Sequence, residues 1–307
     1  MALSNRSRFM LTIFTCSIYP DVTRIWYYCL LNSLQGKQVP VVIYDSSGLL
    51  NPIYYPGAKI VRYPNEQHGK KIDHFIKHHL KTDFFYLTDD DAFLTSGEVL
   101  PYGVNWLEAG EMNAIVSYKP RLWWSFNIHG KEFPTMGSYS LLIKAPVIKK
   151  YELSFQSRRT ERSEIRNGSG YYDTADYINE YLLKEGYAID IAPEQIRNAV
   201  PTFFGTSSAM ISYYRAAWFS KRRKLVSRDR IESMLLSDRM ALMRGLSIVF
   251  VSKIYLALFH EPPIYHHFLS LGNLRELITD RGNHEQGEVF KETVENFTEI
   301  ERKILLI

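Results

Sequence analysis

The sequence predicts an α/β protein with a mixed, mainly parallel sheet flanked by helices, followed by a helical C-terminal segment. Two observations lead to this class. Apolar strand candidates alternate with amphipathic helices in the order β-α-β-β-α-β, which is typical of parallel sheets covered on both faces. From about residue 212 the pattern turns helical. We therefore expect one domain over residues 1–210 and a helical segment over residues 211–307. The strand candidates of the first half are residues 9–17, 39–44, 58–63 and 84–88.

Each early helix is predicted by apolar residues at intervals of three and four. The first helix follows Pro20 and ends at Gly36, and the second covers residues 70–80. A third helix ends at Gly186. Further strands are predicted at residues 113–118, 136–144 and 187–192, with an irregular stretch at residues 119–133 and a loop at residues 158–170, where charged residues, Gly and Ser are frequent.

Composition indicates an ordinary folded protein. The 307 residues are 46% hydrophobic and 23% charged, which suffices for a large core. The two cysteines, Cys16 and Cys29, fall inside a predicted strand and a predicted helix, so we expect reduced thiols in a cytoplasmic protein.

The net charge of +4 is unevenly distributed. Lys and Arg concentrate in residues 215–230 around Trp218 and Phe219. Such a segment attracts anionic lipid headgroups or nucleic acid. The apolar residues 245–259 that follow are too few to span a bilayer and favour a core helix. We expect a cytoplasmic chain that can rest on the inner face of a membrane through residues 215–230.

The most informative motif is the run Asp89-Asp90-Asp91, which directly follows a buried strand candidate. Open sheets bind ligands at the carboxyl ends of their strands. Three adjacent carboxylates repel one another, and a hard divalent cation is their usual partner. Because side chains alternate, Asp89 and Asp91 can hold one Mg²⁺ or Mn²⁺ ion while Asp90 points elsewhere. The competing interpretation is a solvated acidic turn without a ligand.

The order of these pieces resembles the GT-A-fold glycosyltransferases that use nucleotide-sugars, in particular the family-2-like group, over residues 9–210. The acidic run lies where that fold has its Asp-x-Asp motif, and residues 69–73 lie where the family contacts the nucleotide. Residues 172–176 resemble the region of the catalytic carboxylate. The resemblance implies a Rossmann-type sheet and a metal-dependent transfer of a hexose from a nucleotide-sugar donor to a hydroxyl of a glycan or lipid-linked glycan, as in polysaccharide biosynthesis.

Residue roles follow from this resemblance and from the chemistry. An inverting enzyme needs a carboxylate base, and Asp173 and Asp176 are the candidates, although both also suit the start of a helix. His260, His266 and His267 are candidates for a third metal ligand. The donor nucleotide is expected to contact the polar and charged residues Thr15, Ser17, Asp45, Lys70, Lys71, Asp89 and Asp90.

Two other functions fit the same pattern. A nucleotidyltransferase that makes sugar nucleotides has a similar sheet. It normally carries a Gly-rich loop with Arg and Lys after its first strand, and residues 15–20 do not have that composition. A non-catalytic module that binds glycans or nucleic acid is the second alternative. Metal-dependent nucleotide affinity separates a transferase from such a module. Nucleic acid is not the partner we expect, and its binding would weaken steeply with salt.

Overall fold

The structure is a computed structural model that describes residues 11–162, 171–203, 205–209, 226–265, 268–282 and 284–307. Its strands are β1 (Leu11–Ser17), β2 (Val41–Asp45), β3 (Ala58–Arg62), β4 (Phe84–Thr88), β5 (Asn113–Ser117), β6 (Pro120–Ile128), β7 (Lys131–Met136), β8 (Ser140–Lys144), β9 (Arg158–Arg162), β10 (Tyr171–Tyr172) and β11 (Ala188–Ile191). Its helices are α1 (Pro20–Leu34), α2 (His68–His78), α3 (Val99–Glu108), α4 (Ala145–Lys150), α5 (Asp176–Lys184), α6 (Glu194–Arg197), α7 (Arg228–Ser237), α8 (Arg239–Phe259), α9 (Leu271–Arg281) and α10 (His284–Leu305).

Within the described residues, seven strands form one sheet in the order β11-β5-β8-β4-β1-β2-β3. All neighbouring strands are parallel except β8, which runs antiparallel between β4 and β5. The predicted α/β class, with its mainly parallel sheet and helical C-terminal segment, is confirmed. Because β1, β2 and β4 are parallel neighbours in register, their carboxyl ends meet at one edge of the sheet. The acidic run follows β4 at this edge.

Helices cover both faces of the sheet. On one face, α2, α4 and α5 bury Phe75, Ile148 and Ile178 against the strands. On the other face, α1 and α3 pack together with the C-terminal helices in one continuous core that includes Trp26 and Ile254. Burial of these apolar side chains, at roughly 25 cal/mol per Å² of apolar surface removed from water, stabilises both layers. The predicted boundary at residue 210 lies outside the described residues.

The helix α8 is the longest apolar element among the described residues. It is long and apolar enough to cross a membrane, with a mean hydropathy of 1.7 over an 18-residue window, of which 56% is buried in the protein. It packs against α1 and α10. Arg24 of α1 donates a hydrogen bond to the Tyr255 hydroxyl (2.6 Å) and forms an ion pair with Glu261 (2.8 Å). In this structure α8 is therefore a core helix, as its apolar sequence predicted.

Three elements differ from the sequence expectation. The stretch predicted to be irregular is the hairpin β6–β7, whose two-residue turn is His129-Gly130 with positive φ at both residues (52° and 76°). This is the geometry that tight hairpin turns need. The predicted loop begins with β9, which pairs with β10. The helix α3 was not predicted, because Pro101 and Gly103 interrupt its pattern. Gly103 is required there, since an added Cβ would lie 2.2 Å from the Tyr118 hydroxyl oxygen.

Asp21 links the first helix to the C-terminal segment. Its side chain is fully buried and accepts hydrogen bonds from the backbone N–H groups of Ile264 (2.9 Å) and Tyr265 (3.2 Å). We expect Asp21→Ala to lower the free energy of unfolding by about 2–4 kcal/mol, because two buried donors lose a charged acceptor. Urea denaturation measures this loss. The exposed Asp280→Ala is the control and should change stability by less than about 0.5 kcal/mol. Equal effects of the two changes would contradict the prediction.

Candidate active site at the carboxyl edge of the sheet

Asp90 points into the protein, as the alternation of side chains predicted. It is 2% exposed and accepts a hydrogen bond from the Thr23 hydroxyl of α1 (2.7 Å), and the Thr23 hydroxyl also contacts Ser17 Oγ (2.6 Å). Burial and the neighbouring Asp91 raise the pKa of Asp90 to about 8. Asp90 therefore connects the end of β1 and the start of α1 to the run Asp89-Asp90-Asp91, which is called the acidic turn below. The sequence predicted that Asp90 contacts the nucleotide. We correct this prediction, because the Asp90 side chain is enclosed and has a structural role.

Asp89 is partly exposed and lies next to His68. Its side chain is 31% exposed, and its backbone N–H donates to the carbonyl oxygen of Tyr139 (2.9 Å). Burial and the carboxylates of Asp91 and Asp90 raise its pKa well above the usual range, while the positive charge of Arg121 opposes this shift. A carboxylate in this position gains free energy from any added cation.

Asp91 is the third acid of the turn and is partly exposed. Its Oδ2 accepts a hydrogen bond from the Thr206 hydroxyl (2.6 Å). Burial raises its pKa, and the hydrogen bonds from Thr206 oppose the shift. Thr206 belongs to a segment that runs antiparallel beside the acidic turn, through the Ala92–Thr202 bridge. Local sequence patterns do not identify Thr206, because its position depends on this long-range pairing.

The two candidate bases lie together but differ in access. Asp173 is 54% exposed, whereas Asp176 is fully buried and accepts a hydrogen bond from the Asp173 backbone N–H (2.9 Å). Arg121 of β6 contacts both acids, with Nη2 3.0 Å from Asp173 Oδ2 and Nη1 3.3 Å from Asp176 Oδ1. Only Asp173 of this pair is open to a substrate. Asp176 is a positioning residue, so its predicted role as the base is not supported by its burial.

Arg121, Tyr139 and His68 lie between Asp89 and Asp173. The Arg121 Nε donates to the Tyr139 hydroxyl (3.2 Å). Burial raises the pKa of Tyr139, Arg121 opposes the rise, and both Asp89 and Asp173 add to it. The structure thus links the acidic turn to Asp173 through Tyr139 and Arg121. The sequence did not identify these three residues, since only the folding of β6, β8 and α2 onto one edge reveals them.

His68 offers a nitrogen ligand beside the acidic turn. Its Nε2 lies 4.0 Å from Asp89 Oδ1, is buried, and has no hydrogen-bond partner among the described residues. Burial and the nearby Lys71 lower the pKa of His68 to about 4, so its imidazole is neutral at pH 7. A neutral imidazole with a free ring nitrogen is a metal ligand or a hydrogen-bond partner for a bound phosphate. The sequence signal was only its position directly before Gly69.

The two lysines of the α2 start have different environments. Lys70 is exposed and lies 3.8 Å from Glu66. Lys71 is buried and donates to Ser46 Oγ (3.0 Å) and Asn65 Oδ1 (2.8 Å). Burial lowers its pKa, and the thiol of Cys16 opposes the shift. Lys71 therefore places a poorly compensated positive charge at the ends of β1 and β2, the position predicted for a diphosphate contact.

Gly69 and Asp73 of the same region serve the packing of α2. A Cβ at Gly69 would lie 2.3 Å from the backbone oxygen of Phe155. Asp73 accepts hydrogen bonds from Ser154 Oγ (2.6 Å), the Phe155 N–H (2.8 Å) and Gln156 Nε2 (3.0 Å). These two residues hold the chain after α4 against α2.

Of three residues predicted to contact the nucleotide, Asp45 and Ser17 bond within the protein, and Thr15 is enclosed with its hydroxyl unpartnered among the described residues. Asp45 is buried, and its oxygens accept hydrogen bonds from the Ser47 hydroxyl (2.7 Å) and the N–H groups of Gly48 (2.7 Å) and Leu50 (3.2 Å). These bonds fix the loop after β2. Thr15 and Ser17 are fully buried, and Ser17 bonds to Thr23. We correct all three assignments, because enclosed side chains with this burial have no face for a ligand.

Several expected residues fall elsewhere. His260 is exposed and ends α8 in a left-handed conformation, away from the acidic turn. His266, His267 and residues 215–225 of the basic segment lie outside the described residues. Of that segment, Arg228 is described and forms an ion pair with Glu232 (2.6 Å).

The carboxylates of Asp89 and Asp91 suit a divalent cation whose remaining coordination positions are filled by a bound ligand. Among the described residues, no group of three or more His, Cys, Asp or Glu side chains is placed to hold a metal ion by itself. Mg²⁺ and Mn²⁺ take oxygen ligands, and Mg²⁺ is commonly held by one or two carboxylates while substrate phosphates and water complete its shell. Asp89 and Asp91, with raised pKa values and a free His68 nitrogen beside them, fit that arrangement.

Comparisons with known proteins bear on the fold. No protein-family model matches the chain, and no curated protein matches it. Among solved structures, a glucosyl-3-phosphoglycerate synthase from Mycobacterium tuberculosis, in complex with Mn²⁺, UDP and glucosyl-3-phosphoglycerate, is 12% identical, with 59% of this chain and 69% of that chain covered and a TM-score of 0.40.

Two further structures are similar at the same level. A mannosyltransferase from Pyrobaculum calidifontis, in complex with GDP-Man and Mn²⁺, is 13% identical over 97% of this chain and 87% of that chain, with a TM-score of 0.43. A 4-diphosphocytidyl-2C-methyl-D-erythritol synthase from Anaerococcus prevotii is 11% identical over 61% and 94%, with a TM-score of 0.39. All three similarities are weak, and what the chain does has to be inferred from its own side chains.

The raised pKa of Asp90 predicts that the stability of the protein depends on pH. The folded state holds a proton on Asp90 that the unfolded chain releases above pH 3.8, and the pKa in the folded state is about 8. The free energy of unfolding should therefore fall as the pH rises from 5 to 8 in the presence of EDTA. Thermal melting at each pH measures this trend.

Two controls make the pH prediction specific. Mg²⁺ should reduce the slope, because a bound cation stabilises the charged carboxylates. Asp90→Asn should also reduce it, because the residue no longer titrates. A melting temperature that rises from pH 5 to 8 in EDTA, or a slope unaffected by Asp90→Asn, would contradict the assignment.

Proposed function

We propose that this protein is a metal-dependent glycosyltransferase that transfers a sugar from a nucleotide-sugar donor to an acceptor hydroxyl. The observation that carries the proposal is the pair Asp89 and Asp91 at the carboxyl end of β4, whose raised pKa values call for a cation, facing the exposed Asp173 across Arg121. A divalent cation held by Asp89 and Asp91, with His68 beside them, would neutralise the diphosphate that leaves the sugar.

The other charged residues support the same reaction. The buried ammonium of Lys71 lies at the ends of β1 and β2, where its charge attracts the donor diphosphate without direct contact, because the side chain is enclosed. Asp173 takes the proton of the acceptor hydroxyl in an inverting transfer. Arg121 holds the Asp173 carboxylate in one orientation, and Asp176 holds Arg121 from the buried side. In this proposal the acceptor hydroxyl belongs to a glycan or a lipid-linked glycan.

Donor binding is tested by thermal shift. With Mn²⁺ present, UDP or GDP at about 100 times its dissociation constant should stabilise the native state by about 2.7 kcal/mol, a rise of roughly 5 °C in melting temperature. We expect Asp91→Asn and Asp89→Asn to abolish this rise. Asp83→Asn is the matched control, because Asp83 is exposed at the amino end of the same strand. A rise that survives in Asp91→Asn would show that the nucleotide binds elsewhere.

The role of Asp173 is tested by the rate of sugar transfer to water from UDP- and GDP-sugars with Mn²⁺. Asp173→Asn should lower this rate by about 10²–10⁴-fold, the usual contribution of a general base. The thermal shift with Mn²⁺ and nucleotide should remain. Glu185→Gln, an exposed acid just past the end of α5, is the control. An unchanged rate in Asp173→Asn would remove it from the mechanism.

The same assay separates the alternatives. A glycosyltransferase releases a nucleoside diphosphate, a nucleotidyltransferase releases pyrophosphate from a nucleoside triphosphate, and a binding module releases neither. The end of β1 and the loop after it favour the first, since Thr15 and Ser17 are buried and no lysine or arginine lies between them and Arg24 to bind a triphosphate.

A further inference from the structure

Three positive side chains meet at the carboxyl edge of the sheet, outside the site described above. Lys119 follows β5 by two residues, Arg197 ends α6, and Lys303 lies in the last turn of α10. Parallel pairing of β11 with β5 brings α6 beside Lys119, since the Ala192 N–H donates to the Ser117 carbonyl oxygen (3.0 Å). These three side chains are far apart in the sequence, so only the folded structure brings them near one another.

Contacts across the helices complete the cluster. Lys303 Nζ donates to the backbone oxygen of Asn198 (3.3 Å), the residue next to Arg197. Its nearest carboxylate is Glu299, at 3.8 Å. Lys303 therefore tethers the C-terminal helix to the end of α6.

Two members of the cluster, Lys119 and Arg197, lack a compensating negative charge in the described part of the chain, whereas Lys303 has Glu299 at 3.8 Å. Among the described residues, neither Lys119 nor Arg197 has a carboxylate within 4 Å, and the Nε of Arg197 is buried without a hydrogen-bond partner. Burial, together with the charges of Arg197 and Lys303, lowers the pKa of Lys119 to about 8. The Lys303 side chain is 31% exposed, so the cluster is open to solvent. Buried donors without partners and like charges held together both reduce stability unless a ligand compensates them.

We propose that Lys119, Arg197 and Lys303 form a binding site for a phosphate group, either inorganic phosphate or the phosphate of a small monoester. Arginine presents a planar fork that matches phosphate oxygens, and two lysines add point charges. The free Nε–H of Arg197 gains a partner when the anion binds. This site is distinct from the acidic turn, because it needs no metal and uses none of the same residues.

The location suggests which molecule carries the phosphate. The strands β5 and β4 are separated only by β8, so the cluster and the acidic turn lie about 10 Å apart along the sheet edge. This assignment rests on the proposed function. Because the acidic turn with its cation takes the donor diphosphate, the phosphate at the cluster belongs to the acceptor.

Calorimetric titration without metal, in EDTA, tests the site. The probes are inorganic phosphate and glycerol 2-phosphate, with glycerol as the uncharged control. Lys119→Gln, Arg197→Gln and Lys303→Gln should each weaken phosphate binding about tenfold, the loss of one charge-assisted hydrogen bond. Arg302→Gln is the matched control, because it removes a positive charge from the adjacent, exposed position of the same helix.

Every outcome has a defined meaning. Tighter binding of the monoester identifies a phosphorylated small ligand, and tighter binding of inorganic phosphate identifies a free anion; both support the site. Equal weakening by Arg302→Gln, or unchanged binding in the three variants with an intact melting transition, would overturn it. Since the three variants leave the acidic turn intact, they should retain the thermal shift with Mn²⁺ and nucleotide. Failure of that shift in the wild-type protein would instead count against the proposed function alone.

Discussion

The repulsion among three consecutive carboxylates is the constraint around which this edge of the sheet is built. The fold resolves it by treating the acids differently. Asp90 turns inward and bonds to Thr23, whose hydroxyl also reaches Ser17, so one acid fixes the turn to β1 and α1. Asp89 and Asp91 are then left partly exposed with raised pKa values. Placement of the middle acid keeps its two neighbours in one turn, and the proposed function assigns a divalent cation to these two carboxylates.

Arg121 is the second organising residue, and it depends on the antiparallel strand β8. Because β8 starts at the carboxyl edge, Tyr139 lies where its backbone oxygen meets the Asp89 N–H and its hydroxyl meets Arg121. The guanidinium then spans from this tyrosine to Asp173 and the buried Asp176. A buried guanidinium with fixed partners moves little, so it sets the position of the exposed carboxylate relative to the acidic turn.

Sequence reasoning succeeded where local pattern decides structure. The strands, the amphipathic helices and the position of the acidic run at a strand end follow from periodicity within short windows. It failed for Asp45, because an aspartate that bonds to the next few backbone N–H groups has the same local sequence as one that binds a ligand. It missed Arg121, His68 and Thr206, because their roles depend on elements that meet only in the folded chain. The hairpin that carries Arg121 had a usable signal in His129-Gly130, the two residues of its turn.

Two clusters of opposite charge at one edge raise the question of why they do not neutralise each other. At a separation of about 10 Å, unit charges attract by only about 0.4 kcal/mol in water, compared with about 1 kcal/mol at 4 Å. Screening by salt reduces this further. The acidic cluster and the basic cluster therefore each keep uncompensated charge, and this charge lowers the stability of the protein without ligands. Ligands of the complementary charge recover that free energy on binding. In the two proposals above, a cation with a diphosphate would bind at the acidic cluster and a phosphate at the basic one.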